Sequence, residues 1–446
     1  MTSIKPEDLP AAVCDGAEKL PQSDKATEDA AMVLADVLGC AIVAARRQQQ
    51  PQPPAGSHPV WGLPARSAPG DALMLNVLHA HLDDWDPVHY VSAGHPAAVL
   101  WPLATCLMET HGGDPADALQ IYLVAHEVMC VLGARFGDSL APTGRHATTL
   151  FGGLAAAAAT AWWISRTPEA IDRAMSLAGT SLAGTLHGFG SDLKPFQVAN
   201  AARVGWQAGQ FAPSLSAEPA SWLTALRELT AYRENPTWLG DHPQVFGAAP
   251  AAELLPSHIK HYPACAYFDQ TLSQIERLRA TATRGTRPVR IAVPAYIRHA
   301  SRFPLPDTVP QARFSLPYLV AYAWLEGLSP AAFTQTEINR PDVRALARAL
   351  AVGTVDGELS TFADTLSGAL TVLGRDGRET DHELVFGGVR PDPSWSAITG
   401  KFAPFVPDAS QIVDFCRALP SRSGHDWDVL QRNLARRSRV QVERKS

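Results

Sequence analysis

Four basic or titratable residues stand where helices should begin. Gly94-His95-Pro96 precedes one apolar stretch, Gly144-Arg145-His146 a second and Leu193-Lys194-Pro195 a third, while Lys260-His261-Tyr262-Pro263 opens a fourth segment. Proline suits the first turn of a helix, where its missing N–H has no partner to lose. Helix N-termini present free N–H groups and a partial positive charge, and both favour anions. Histidines and lysines converging there would make a cage for carboxylates, with imidazoles that titrate near neutral pH. Three carboxylates, Asp83, Asp84 and Asp86, lie just ahead of the first of these sites.

Other chemistries fail on spacing. His126-Glu127 begins like a zincin H-E-x-x-H, but position 130 is Cys130, so the second histidine is missing. Gly179–Gly184 has one residue too many for a nucleophile elbow. Gly188-Phe189-Gly190 follows a helical pattern instead of a strand, which argues against a dinucleotide loop. The residues call for no metal and no cofactor.

The elements that must position these groups are mostly helical. Apolar residues recur at helical spacing over Thr27–Arg46, until a Pro- and Gln-rich stretch, Gln48–Gly70, ends the pattern. Helical patterns follow over Ala72–Asp83, Ala97–Glu109, Pro115–Phe136, Gly152–Ile164, Pro168–Leu186 and Val198–Phe211. After about residue 266 the texture changes. Val289–Val293 alternates as a strand, and Leu370–Leu373 runs into a hairpin turn at Arg375-Asp376-Gly377-Arg378. Helices are predicted between them, over Gln311–Glu326 and Arg340–Val352, and again over Asp408–Arg437. The expected fold is mainly α: a large all-α domain over 1–265 with 401–446, and a smaller α+β domain over 266–400.

Composition narrows the setting. Lys plus Arg number 38 against 44 Asp plus Glu, a formal charge of −6, with no basic run, so no nucleic-acid partner is expected. The first twenty residues alternate charge and proline, unlike a signal peptide. No uninterrupted apolar stretch has the length of a membrane span. Cys14, Cys40, Cys106, Cys130, Cys265 and Cys416 form no C-x-x-C pair, which speaks against structural zinc or a disulfide framework. A cytoplasmic protein is expected.

Taken in order, these motifs resemble the MmgE/PrpD family. Leu82-Asp83-Asp84-Trp85-Asp86 followed by Gly94-His95-Pro96 resembles its L-D-F-x-D-T stretch and H-P helix start. Arg145–Ala155 is similar to its H-P-x-x-x-x-G-x-x-A-A-A motif, Lys194–Arg203 to K-P-x-H-x-G-x-A-A, and Lys260–Cys265 to K-x-Y-P-x-C. Ala312–Tyr318 resembles A-K-F-S-x-x-Y of the lid. The set spans about residues 30–405 in the family's order. The resemblance implies a homodimer with its active site between a helical domain and an α+β lid. It implies a pocket of Asp83, His95, His146, Lys194, Lys260 and Tyr318. Two positions depart from the pattern: Pro87 stands for the threonine of D-x-x-x-T, and Gln197 for the histidine of K-P-x-H.

The implied chemistry is proton transfer next to a carboxylate of a small di- or tricarboxylic acid. Fixed cations must stabilise the charge that builds there. In this reading Lys194 and Lys260 clamp carboxylates, with Gln197 beside them. His146 is the leading general acid/base and His95 the second proton carrier. Asp83 orients His95 or acts as a base, and the Tyr318 hydroxyl closes the site from the lid. Dehydration of a hydroxy-polycarboxylate is the first expectation. Decarboxylation of an unsaturated tricarboxylate and two-base epimerisation are the alternatives, and a catalytically silent scaffold is the alternative of another class.

Overall fold

A computed structural model of the chain describes residues 6–17, 20, 24–47, 55–90, 92, 94–140, 143–215, 221–230, 257–355, 365–387 and 394–443. Among the described residues, nine helices of the N-terminal part carry the first core: α1 (Leu9–Ala17), α2 (Asp24–Arg47), α3 (Pro69–His81), α4 (Pro96–His111), α5 (Pro115–Leu140), α6 (Ala147–Ser165), α7 (Pro168–Gly179), α8 (Leu193–Phe211) and α9 (Trp222–Thr230). Its apolar cluster runs from Leu9 to Leu226 and takes in Ile398 to Leu434 of the C-terminal helices. By length and composition alone, Pro115–Gly137 and Ala147–Ser165 could cross a membrane. They are buried over 78% and 83% of their most apolar windows, which makes them core helices.

The contact that matters most for the site is between α6 and α8. Ala155–Ala159 of α6 are all fully buried. A Cβ on Gly205 of α8 would lie 2.3 Å from the Gly153 carbonyl oxygen, and one on Gly209 would lie 2.4 Å from Thr160 Cβ. Small residues on both helices therefore let the backbones meet. Even a methyl added at these glycines would overpack the contact. This close approach brings the start of α6, with His146, to the start of α8, with Lys194 and Gln197.

The second cluster runs from Tyr262 to Phe386. It combines α10 (Ala266–Thr281) and α11 (Leu316–Leu325) with a sheet of β1 (Arg287–Pro294), β2 (Ala351–Val355), β3 (Thr365–Leu373) and β4 (Glu379–Gly387). The strand order is β2-β1-β3-β4. The β1–β2 pair is parallel and the other two are antiparallel, with Ile291 facing Leu370. Gly377, at φ +77°, makes the β3–β4 turn expected from Arg375–Arg378. The molecule is thus mainly α with a smaller α+β part, as the sequence implied.

Several predicted helices are shorter or broken, among them Arg340–Val352, which stops at Ala349 because Ala351 and Val352 belong to β2. The one expected over Pro168–Leu186 stops at Gly179, because residues after it return against α6: a Cβ on Gly184 would lie 2.4 Å from Thr149 Cβ. The Gln311–Glu326 pattern is interrupted where the Ser315 hydroxyl accepts from Tyr318 N–H and caps α11, with Pro317 in its first turn. Asp408–Arg437 divides into Ala409–Arg417 and Gly424–Glu443. The glutamine and proline run at 48–54 lies outside the described residues.

Candidate active site

A cavity of about 140 Å³ lies where the starts of α4, α6 and α8 meet the chain around Cys265. His95 and His146 are the N-cap residues of α4 and α6, and Lys194 sits in the first turn of α8. All three line the cavity, together with Asp84, Arg145, Thr148, Phe189 and Phe314. A larger cleft of about 1180 Å³ lies beside it and holds Asp83, Arg47, Arg313, Lys260 and Lys401. In that cleft two arginines share Asp83, and Lys401 is held by Asp36 at 2.8 Å, whereas His95 and His146 both line the smaller cavity.

The three aspartates after α3 have different tasks. Asp86 accepts from His95 Nδ1 at 2.9 Å and from His81 Nδ1 at 3.0 Å. Burial alone would raise its pKa, but the two histidines hold it well below the ordinary carboxylate range. Asp84 Oδ1 accepts from Lys260 Nζ at 2.8 Å and lies 3.0 Å from Lys194 Nζ and 3.6 Å from His95 Nε2. Against the effect of burial, the two ammonium groups keep it strongly ionised. Its backbone is left-handed, at φ +51°, a conformation that aspartate tolerates better than most residues but that still carries strain.

Asp83 is therefore a correction. Its carboxylate is buried between Arg47 at 2.5 Å and Arg313, and it contacts no histidine. Those guanidiniums outweigh burial and hold it ionised below its ordinary pKa. It ties the end of α2 to the second cluster and is placed neither to orient His95 nor to act as a base. Tyr318 is a second correction. It is fully buried within the second cluster and its hydroxyl donates to the Ala332 carbonyl at 2.6 Å, away from the cavity. Lys260 is a third: fully buried, it lines the larger cleft, and its ammonium is taken by Asp84 and by the Ala264 carbonyl at 2.9 Å. Of the two expected lysine clamps, only Lys194 reaches the cavity, over the rings of Phe189 and Phe314.

Hydrogen bonding settles the tautomers of both cavity histidines. His95 gives its Nδ1–H to ionised Asp86, which leaves the Nε2 lone pair for the cavity. Burial, helped by Lys194 and Lys260, holds His95 below its ordinary pKa despite Asp86, so it is neutral at neutral pH. His146 is the reverse case. The Gln197 amide is locked by one residue: its oxygen accepts from Thr185 N–H at 3.0 Å and its nitrogen donates to the Thr185 carbonyl at 2.9 Å. Turning the amide over would set oxygen against oxygen and N–H against N–H. The second amide hydrogen therefore points at His146 Nδ1, 3.1 Å away, with the Thr149 hydroxyl 3.0 Å from the same nitrogen. Nδ1 is the acceptor, and His146 carries its proton on Nε2. Burial foremost, then Lys194, hold its pKa well below normal.

Asp84, Asp86, His81 and Arg145 were missed as site residues, although all four stand in or beside the quoted motifs. Among the described residues, two groups have ligand atoms mutually within 4.8 Å, His81 with Asp86 and His95, and His89 with His126 and Cys130. The first is joined by the hydrogen bonds above. In the second, Cys130 Sγ stands 3.4 Å from His89 Nδ1, and burial keeps it a thiol.

Residues 11–214 match the MmgE/PrpD N-terminal domain and residues 262–411 the MmgE/PrpD C-terminal domain. The cis-aconitate decarboxylase of Mus musculus is 26% identical over 347 residues, covering 72% of this chain and 68% of that protein. That of Homo sapiens is 25% identical over 311 residues, covering 65% and 63%. The cis-aconitate decarboxylase-like protein oryM of Aspergillus oryzae is 28% identical over 222 residues, covering 46% and 43%. With both domains matched in order along most of its length, the chain belongs to the MmgE/PrpD family.

Proposed function

We propose that the chain is a metal- and cofactor-independent lyase that dehydrates a small hydroxy-polycarboxylic acid. The observation that carries this reading is the opposed pair of histidines: His95 offers a lone pair to the cavity and His146 offers an N–H. His95 Nε2 takes a proton from the carbon next to a carboxylate. Asp86, already bonded to Nδ1, stabilises the imidazolium, as the aspartate of a catalytic triad does. The electron pair moves into the new C=C bond as the C–O bond breaks. The charge that builds on the neighbouring carboxylate meets the Lys194 ammonium and the Nε2–H of neutral His146. The imidazolium returns its proton to the departing hydroxide, so water leaves and neutral His95 is restored.

In this account His146 is a hydrogen-bond donor and not a base, which speaks against two-base epimerisation. Gln197 holds it so. In Gln197→Leu, ¹⁵N spectra of His146 are expected to change from a single Nε2–H tautomer to a mixture. Turnover should fall about 10-fold, as when other orienting partners are lost. An unchanged tautomer would remove Gln197 from the mechanism.

Decarboxylation of a cis-aconitate-like acid is the second reading, favoured by the names of the relatives. There the C–C bond breaks, carbon dioxide leaves with its oxygens, and the carbanion takes a proton from a His95 imidazolium. The two readings need opposite protonation states. Dehydration needs neutral His95, so kcat/KM should rise with pH through its depressed pKa and be level at neutrality. Decarboxylation needs the imidazolium, so kcat/KM should fall over the same range. A pH profile between 4 and 9 separates them. The same reading takes the enzyme as a cytoplasmic homodimer with a di- or tricarboxylate substrate and neither a nucleic-acid nor a membrane partner.

A further inference from the structure

The charges around the cavity nearly cancel. Lys194 and Lys260 are matched by Asp84 and Asp86, and both cavity histidines are held neutral. A polyanion entering this arrangement would meet no net attraction. Arg145 supplies the difference. It is half-buried and lines the cavity, and among the described residues its side chain has no ion pair and no hydrogen bond. The neighbouring guanidiniums are committed elsewhere, Arg47 and Arg313 to Asp83 and Arg302 to the Leu186 carbonyl.

The backbone under Arg145 is held on both sides. Leu186 N–H donates to the Gly144 carbonyl at 2.8 Å, His146 N–H donates to the Gly184 carbonyl at 3.1 Å, and Arg145 itself bridges Thr185. Thr185 is also the residue that locks Gln197. A guanidinium is permanently charged and presents two parallel N–H groups, which match both oxygens of a carboxylate. Leaving such a charge half-buried and unmatched is unfavourable, and a bound anion relieves that.

We propose that Arg145 binds a second carboxylate of the substrate, one not attached to the reacting carbon, and so makes a polycarboxylate obligatory. This rests on the polycarboxylate reading above. The test is calorimetric titration with propane-1,2,3-tricarboxylate, a probe with no hydroxyl to eliminate. Wild-type protein is expected to bind it, and Arg145→Gln to bind it on the order of 10- to 100-fold more weakly with an unchanged melting temperature. Should Arg145→Gln fail to fold, Arg145→Lys is read instead. It keeps the charge but not the fork, and a several-fold loss is expected. Wild-type binding with affinity in the folded variant within about two-fold of it would overturn the role of Arg145 alone. Absence of binding by the wild-type protein would overturn the polycarboxylate reading itself.

Discussion

Replacing His95 with glutamine should lower turnover by roughly 10²- to 10⁴-fold while leaving the fold intact, the usual contribution of a positioned acid–base group. Glutamine can still reach Asp86 through its amide and fill the same volume, so the variant removes proton transfer and little else. Asp86 keeps His81 at 3.0 Å as its second partner, which protects the buried carboxylate from being left alone. The checks are kcat on a substrate turned over by the wild-type enzyme and a thermal melt of both proteins. A loss below about 10-fold would mean that the proton goes to another group. That result would also remove the basis for the pH dependence predicted from His95.

The largest effect on stability is expected from Lys260→Met. The side chain is fully buried, and its ammonium joins Asp84 of the loop after α3 to the Ala264 carbonyl at the entry to α10. Methionine matches the length of the stem but carries no charge. Asp84 would keep only Lys194 as a close cation, and the carbonyl would lose its donor. Breaking a buried pair from one side costs on the order of 3–5 kcal/mol, and Lys194, still 3.0 Å from Asp84, holds the expected loss to the lower end of that range. Urea denaturation of the two proteins measures the difference. A change under about 1 kcal/mol would show that water replaces the lysine at Asp84.

Much of this arrangement was legible in the sequence, and the exceptions have physical causes. Proline after a basic residue marks a helix start whatever the tertiary context, and that local signal located His95 and Lys194, while His146 was placed by the apolar helical pattern that begins just after it. The period of the apolar pattern separated the helical part from the α+β part in the same local way. The choice among Asp83, Asp84 and Asp86 is not local. The left-handed backbone at Asp84 lets adjacent carboxylates serve different partners, so that Asp83 meets two arginines while Asp84 meets two lysines. Periodicity carries no trace of that twist.

The remaining misses depend on contacts between distant segments. Tyr318 lies on an apolar helix that is buried in its own cluster, and only the fold says that its hydroxyl turns to Ala332. Gln197 reads as a lost acid–base group until Thr185 is found beside it, where it becomes the device that sets the His146 tautomer. Arg145 stood in plain view beside His146. What distinguishes it is the absence of an acidic partner among the described residues, and that is visible only in three dimensions.

The central claim is that neutral His95 removes a proton next to a carboxylate and that water is lost. The most direct test is proton NMR of the purified protein in D2O with a chelator, no added cofactor and a panel of hydroxy di- and tricarboxylates. A new vinyl signal from at least one hydroxy acid is expected, with no carboxylate lost, and it should disappear in His95→Gln. Silence across the panel, or loss of a carboxylate from cis-aconitate without any dehydration, would contradict the claim.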